Sequence, residues 1–266
     1  MTSGQSGGAR RATTYDARGL ADPDVEAPGT ARVEGGQATV DAEKLSTRQV
    51  NLELRRLIYT EGIRDVVLQN PGAKHSIAVG LLARCHLTIE GSLGYFGCGL
   101  ADGPEIHITG RVGWSVSENM MSGVVVIDKN AGSLTGAGLR GGDLVVRGDV
   151  GARTGIDQKG GTIMVGGNAG FMTGFMMQRG RQVICGDVGN GMGDSMYDGT
   201  IYVGGTVASL GVDCIEGEMT GADTEFLDRK FGIYALDRPD SFRKYVCGKK
   251  LWNYDNLEPN ERKLVL

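Results

Sequence analysis

The sequence predicts an all-β fold, a right-handed single-stranded parallel β-helix of about seven to eight coils of about 19 residues, and three observations predict it. Glycine recurs at a constant step through Gly94, Gly113, Gly132, Gly151, Gly170 and Gly189, and a second column runs three positions earlier through Gly91, Gly110, Lys129, Gly148, Gly167, Gly186 and Gly205, broken only by Lys129. A fixed period of this length marks a solenoid. Just before the second column, one position reads Leu87, Ile106, Val125, Leu144, Ile163, Gln182, Ile201, and the position two further on reads Ile89, Ile108, Ile127, Val146, Val165, Ile184, Val203. That alternation of period two in β-branched residues is a short strand, one per phrase. No phrase leaves room for a helix of ordinary length beside its strands. The coils therefore stack strand on strand, right-handed by the general preference of parallel connections.

Two further columns carry the apolar face around the corners: Leu93, Val112, Ala131, Val150, Ala169, Val188, Val207, and Ala101, Met120, Leu139, Gln158, Met177, Met196, Ile215. One coil cannot bury its own apolar face, whereas a stack hydrogen-bonded at roughly 4.8 Å per coil encloses a continuous core. Seven phrases, preceded by an eighth strand at 66–70, make a prism about 35 Å long.

Residues 1–32 hold almost no apolar side chain except Tyr15 and Leu20 and are expected to be a mobile N-terminal arm. Residues 33–65 form an N-terminal capping segment with a helix over 46–61. Ser46 and Gln49 fit a capping box, Val50, Leu54, Leu57 and Ile58 share one face, and Gly62 ends it. Such a helix plugs the open end of the prism, where unpaired strand groups would invite aggregation. The β-helix itself spans 66–216. In the C-terminal segment, 217–266, Phe226, Phe231, Tyr234, Phe242, Tyr245, Trp252 and Tyr254 concentrate aromatics that need burial. This tail is expected to cap the far end, run back along the side or insert into another protein.

Net charge −4 without a basic stripe argues against nucleic acid or an anionic membrane as partner. No run of about 18 apolar residues spans a bilayer, and no apolar stretch of a secretory signal follows Met1. The five cysteines, Cys85, Cys98, Cys185, Cys214 and Cys247, are odd in number and scattered. They read as reduced thiols, and the expected localisation is cytoplasmic.

Signals of chemistry are weak. Gly136-Ala-Gly138-Leu-Arg-Gly141 matches a dinucleotide fingerprint, yet a strand rather than a helix follows it, so no helix N-terminus is there to bind phosphate. His75, His86 and His107 show no metal-binding spacing, and no cysteines stand as C-x-x-C. The column Ser92, Arg111, Asn130, Asp149, Asn168, Asp187, Thr206 puts Asp149 and Asp187 two coils apart, about 9.6 Å by the coil spacing. That is near the separation used by inverting glycosidases, and it equally suits a polar ladder satisfying turn backbone.

The outward column between the two strand columns is the anomaly: Thr88, His107, Val126, Val145, Met164, Val183, Tyr202, five of seven apolar. A ladder of that size needs a cover, from a terminal segment or from another subunit. Phe171, Met172, Phe175 and Met176 also exceed what the inward columns require, and such residues are enriched at interfaces. Val126, Val145, Met164, Val183 and Tyr202 with this Phe/Met group form the candidate interface.

Gly189-x-Gly191-x-Gly193, Gly151-Ala-Arg-Thr-Gly155, Lys159-Gly-Gly161, Gly174-Phe-Met-Met-Gln178 and Gly193-Asp-Ser-Met-Tyr197 resemble the G-x-G-x-G β-helix domain that closes the large subunit of glutamate synthase. The resemblance covers roughly 48–213. With Asn70-Pro-Gly-Ala-Lys-His75 and Leu210-Gly-Val-Asp213, the chain is most similar to stand-alone forms such as the β-helix subunit of N-methylglutamate synthase. The resemblance implies a non-catalytic structural subunit, without cofactor of its own, whose partners are a glutamine-amidotransferase-type subunit and a synthase subunit carrying FMN and an iron–sulfur cluster. The β-helix subunit of formylmethanofuran dehydrogenase or of the related formyltransferase/hydrolase complex is one alternative; an independent polysaccharide-active enzyme is another.

Overall fold

The computed structural model describes residues 26–248. Its twelve strands form one sheet in the order β1-β2-β3-β4-β5-β6-β7-β8-β9-β10-β12-β11. Nine of them run parallel, each paired with the next: β2 (Gln37–Asp41), β3 (Asp65–Gln69), β4 (His86–Glu90), β5 (Asp102–Ile108), β6 (Ser122–Ile127), β7 (Asp143–Val146), β8 (Lys159–Val165), β9 (Arg179–Ile184) and β10 (Thr200–Val203). From β4 onward the register is the sequence period, with Leu87 opposite Ile106, Val125 opposite Leu144 and Ile163 opposite Gln182. A second side is a file of single parallel bridges through Leu93, Val112, Ala131, Val150, Ala169, Val188 and Val207. The predicted inward strand columns and the Leu93 corner column are therefore in place, and their side chains are buried along the solenoid except at its end, where Val207 is half-buried.

The third side is built without extended strand. Its backbone is left-handed at every second position, as at Leu134 (φ 62), Gly136 (φ 67) and Gly138 (φ 61). The Leu134 and Gly138 amides donate to Ala152 O and Ile156 O of the following coil, at 2.9 and 2.8 Å, and the Gly136 amide donates to Val116 O of the preceding one at 2.9 Å. Glycine suits this geometry because it meets no Cβ penalty at positive φ. The G-x-G-x-x-G match thus lies in a coil-to-coil ladder, and β7 follows it. Threonines buried beside this side close on their own chain: Thr135, Thr154 and Thr173 each donate to the carbonyl three residues earlier.

At the N-terminal end the parallel ladder starts at β2, inside the segment expected only to cap, with β1 (Arg32–Glu34) antiparallel outside it. Helix α1 (Thr47–Arg55) continues as one π-helical turn, Arg56–Thr60. Its capping box is the predicted one, Gln49 N donating to Ser46 Oγ at 3.2 Å and Ser46 N to Gln49 Oε1 at 2.9 Å. Side chains of the helix take the bonds that a further coil would make. Asn51 Nδ2 donates to Ser76 O, Asn51 Oδ1 accepts from Ala78 N, and Tyr59 Oη accepts from Leu82 N, at 2.7, 2.8 and 2.6 Å. Buried Glu53 accepts from Gly29 N and Ala31 N at 3.1 and 3.0 Å and pairs with Arg56 at 2.8 Å. The end of the expected arm is thereby tied to α1, while its residues 1–25 lie outside the described residues.

At the other end one expectation is corrected. Ile215 does not continue the inward column; it is 49 % exposed, and Cys214 is buried in its place. The last coil is shorter than the repeat by one position, since Met192 bridges Leu210 where the period would put Gly211. A one-residue slip exchanges the faces of everything downstream. Beyond β11 (Cys214–Gly217), helix α2 (Gly221–Tyr234) leads to β12 (Arg243–Cys247), which inserts antiparallel between β10 and β11 and closes the open edge. Trp252 and Tyr254 lie outside the described residues.

Candidate functional site

The structure separates the candidate interface into two places. Val145, Met164, Val183 and Tyr202 are buried under Phe226, Leu227, Phe231 and Leu236, with Val126 packed at the margin. The chain's own α2 is the cover, in the position that another subunit was the alternative to fill. A carboxylate pins each end of this contact, Asp143 half-buried and Asp223 buried. Asp143, on the sheet, accepts Lys230 Nζ at 2.5 and 2.6 Å and the Tyr234 hydroxyl. Asp223, on α2, accepts the Tyr202 hydroxyl at 2.6 Å, Thr220 N and Oγ1 at 2.8 and 2.6 Å, and Lys244 Nζ of β12 at 2.8 Å. Burial pushes the Asp223 carboxyl up, but the bonds from Lys244, Thr220 and Tyr202 outweigh it and hold the group well below the usual carboxylate range. For Tyr202, burial first and the Asp223 bond second push the phenol up to about 12. Apolar periodicity does not mark α2, although Thr220 and Asp223 stand at capping-box spacing and locate its start.

Phe171, Met172, Phe175 and Met176 lie elsewhere, on the left-handed side of the prism. Phe171 and Met176 are exposed, Met172 and Phe175 half-buried, and Met172 and Met176 are left-handed. Phe171 belongs to the same periodic column as Tyr95 and Trp114, and Met176 to that of Leu100. Tyr95 stacks on Trp114 with centroids 5.7 Å apart and on His75 at 4.6 Å, and Arg153 lies over Phe171. Tyr95 and Trp114 remain 53 % and 55 % exposed, an aromatic file standing over the glycine column, where a Cβ at Gly113 or Gly132 would meet a ring at 2.7 or 2.6 Å. Neither residue stands out from composition or motif; the period that they share with Phe171 is the available signal.

The candidate chemical groups are engaged structurally. Asp149 Oδ1 accepts from Asn168 N at 2.7 Å, Asn168 Oδ1 from Asp187 N at 2.8 Å, and Asp187 Oδ1 from Thr206 N at 2.7 Å. From Asn130 to Asp187 the corner column is a ladder in which each side chain holds the next coil's amide. The Thr206 backbone bond, with its hydroxyl, lowers the Asp187 carboxyl. A general acid for glycoside cleavage needs the opposite shift. A groove of about 700 Å³ is lined by Arg64, Arg84, Cys85, His86 and Glu105. There His86 bonds Asp65 at 2.9 Å, which with nearby Glu105 raises its pKa, and burial raises the Cys85 thiol, away from a reactive thiolate. His107 pairs with Asp128 at 2.9 Å. Among the described residues no cluster of three His, Cys, Asp or Glu is arranged to hold a metal ion, and no helix is long and apolar enough to cross a membrane.

Fold and surface together define a parallel β-solenoid closed at both ends by its own helices and strands, with an external aromatic file. No family model matches the chain. Over 88 residues it is 38 % identical to Protein GlxC of Rhizobium meliloti (strain 1021), a match spanning 33 % of this chain and 39 % of that protein.

Proposed function

We propose that the chain is a non-catalytic structural subunit of a glutamate-synthase-related complex of the N-methylglutamate synthase type, working in the cytoplasm. In this reading it holds a glutamine-amidotransferase-type subunit and an FMN and iron–sulfur synthase subunit in register. The observation that carries the reading is the exposed file of Tyr95, Trp114 and Phe171 with Leu100 and Met176, set on coils that backbone ladders make rigid. Tyr95 and Trp114 stand one coil apart, and Phe171 follows three coils further along the same column, past Ser133 and Ala152; these exposed side chains on rigid coils form a preformed surface, so little ordering entropy is lost when a partner docks. The Asp149–Asp187 column, used up by backbone, supports a structural rather than a hydrolytic role. The resemblance of the G-x-G phrases and the likeness to Protein GlxC point in the same direction.

The test is isolation of the tagged chain from its native cells under mild conditions, with identification of co-purifying proteins and a visible spectrum. A flavin and iron–sulfur spectrum brought by a large partner, together with an amidotransferase-like chain, is the expected result. A colourless chain purified alone from cells that contain both partner types overturns it.

A further inference from the structure

We propose that Cys214 and Cys247 are a thiol pair placed to close into a disulfide that staples strand β12 to β11, formed by exchange with a low-molecular-weight disulfide. The two residues are directly opposite each other in the antiparallel β11–β12 ladder. One rung further on, Gly248 N donates to Asp213 O at 2.7 Å. Hydrogen-bonded and non-hydrogen-bonded pairs alternate along such a ladder, so Cys214 and Cys247 form a non-hydrogen-bonded pair, where Cα atoms approach to about 4.5 Å. That lies within the roughly 4.4–6.8 Å that a disulfide accepts.

The sulfurs also converge on the same turn of the coil beneath. Cys247 Sγ contacts Met196 O at 3.1 Å, and Cys214 Sγ lies so close to Gly193 that a Cβ there would stand 2.6 Å from it. In the described ladders no other two cysteines are opposed. The one-position shortening of the last coil is what brings Cys214 inward to this place instead of Ile215.

The two thiols differ in access. Cys214 is buried, and burial pushes its thiol up to about 11, whereas Cys247 is half-buried. Cys247 is therefore the attacking group. Its thiolate displaces one thiolate from the external disulfide and becomes a mixed disulfide. Cys214 then gives up its proton, its sulfur attacks the Cys247 sulfur, and the second external thiolate leaves. In sum the pair loses two electrons and two protons, and the external disulfide becomes two thiols. The bond closes a loop containing α2, so the cover of the outward column becomes covalently fixed to the end of the solenoid.

The full chain, reduced and then equilibrated under native conditions with mixtures of glutathione and its disulfide, is quenched in acid, alkylated and peptide-mapped. The expected product is a peptide linking Cys214 to Cys247 with loss of two alkylatable thiols. Cys214→Ser is expected to stop at a glutathione adduct on Cys247, and Cys247→Ser to leave Cys214 alkylatable only after unfolding. The proposal is overturned if the unsubstituted chain accumulates the Cys247 adduct without the linked peptide, links Cys247 to another cysteine, or stays unmodified throughout.

Discussion

The Tyr202 hydroxyl donates to Asp223 Oδ1 at 2.6 Å, joining the last solenoid strand to the first turn of the helix that covers it. The same carboxylate accepts from Thr220 in the helix cap and from Lys244 of β12. One side chain thus ties together the solenoid, the covering helix and the closing strand.

Asp223 therefore couples the C-terminal cap to pH. Its folded pKa is depressed, so its contribution to stability is fully present above the unfolded value of about 3.9 and fades as the pH falls through and below that value. Urea unfolding between pH 5 and 2.5 is expected to show stability falling on acidification, with a shallower fall in Asp223→Asn. Equal slopes in the two proteins would remove Asp223 from the account.

Val145→Asp places a charge in the fully buried contact between the sheet and α2. Burying an unpaired carboxylate is costly, so α2 is expected to leave the sheet, with a loss of about 3–5 kcal/mol. Limited proteolysis reads this directly, as faster cleavage within 218–240 while the coils before β10 stay protected. An unchanged cleavage rate would show that α2 does not depend on the apolar column.

Inside the solenoid, Gln182 Nε2 donates to Gln158 Oε1 at 3.0 Å, and Gln182 Oε1 is buried without a partner. Gln158→Met alone removes that acceptor and is expected to cost about 1–3 kcal/mol, because Gln182 keeps its polar atoms in the core. Replacing both by Met is expected to be less damaging than the single change, as paired removal of buried polar groups usually is. Denaturant midpoints of the three proteins decide this; a double variant weaker than the single one refutes it.

Trp114→Ser and Phe171→Ser test the external file. Both rings are about half exposed, so each change is expected to alter chain stability by less than about 1 kcal/mol. In the proposed complex the pair of substitutions is expected to weaken subunit association by tenfold or more, measured by sedimentation. Association unchanged by both would place the partner surface elsewhere.

Much of this architecture is legible in the residues because the solenoid is a local code. Leu87, Ile89 and Leu93 bury in one coil for the same reason as their counterparts in the next, and Ser46 with Gln49 caps α1 from within a single turn. The polar corner ladder belongs here too, since Asn130, Asp149, Asn168 and Asp187 follow the same step.

The apolar character of the Val145 column, and hence its need of a cover, is equally a property of the sequence. What covers it is decided only by tertiary structure. α2 begins at Gly221, far along the chain from Val145 and in a segment outside the period, and nothing local says whether Phe226 and Phe231 meet that column, the open end or another chain. The choice rests on non-local complementarity: Asp143 with Lys230, Tyr202 with Asp223, and a shape between them that exists only when the coils are stacked. Likewise the period carries Ile215 inward, whereas the shortened last coil and the antiparallel strand β12 give that place to Cys214. A repeat determines its own interior residue by residue, but where the repeat stops, the side chains are assigned by whatever packs against the final coil.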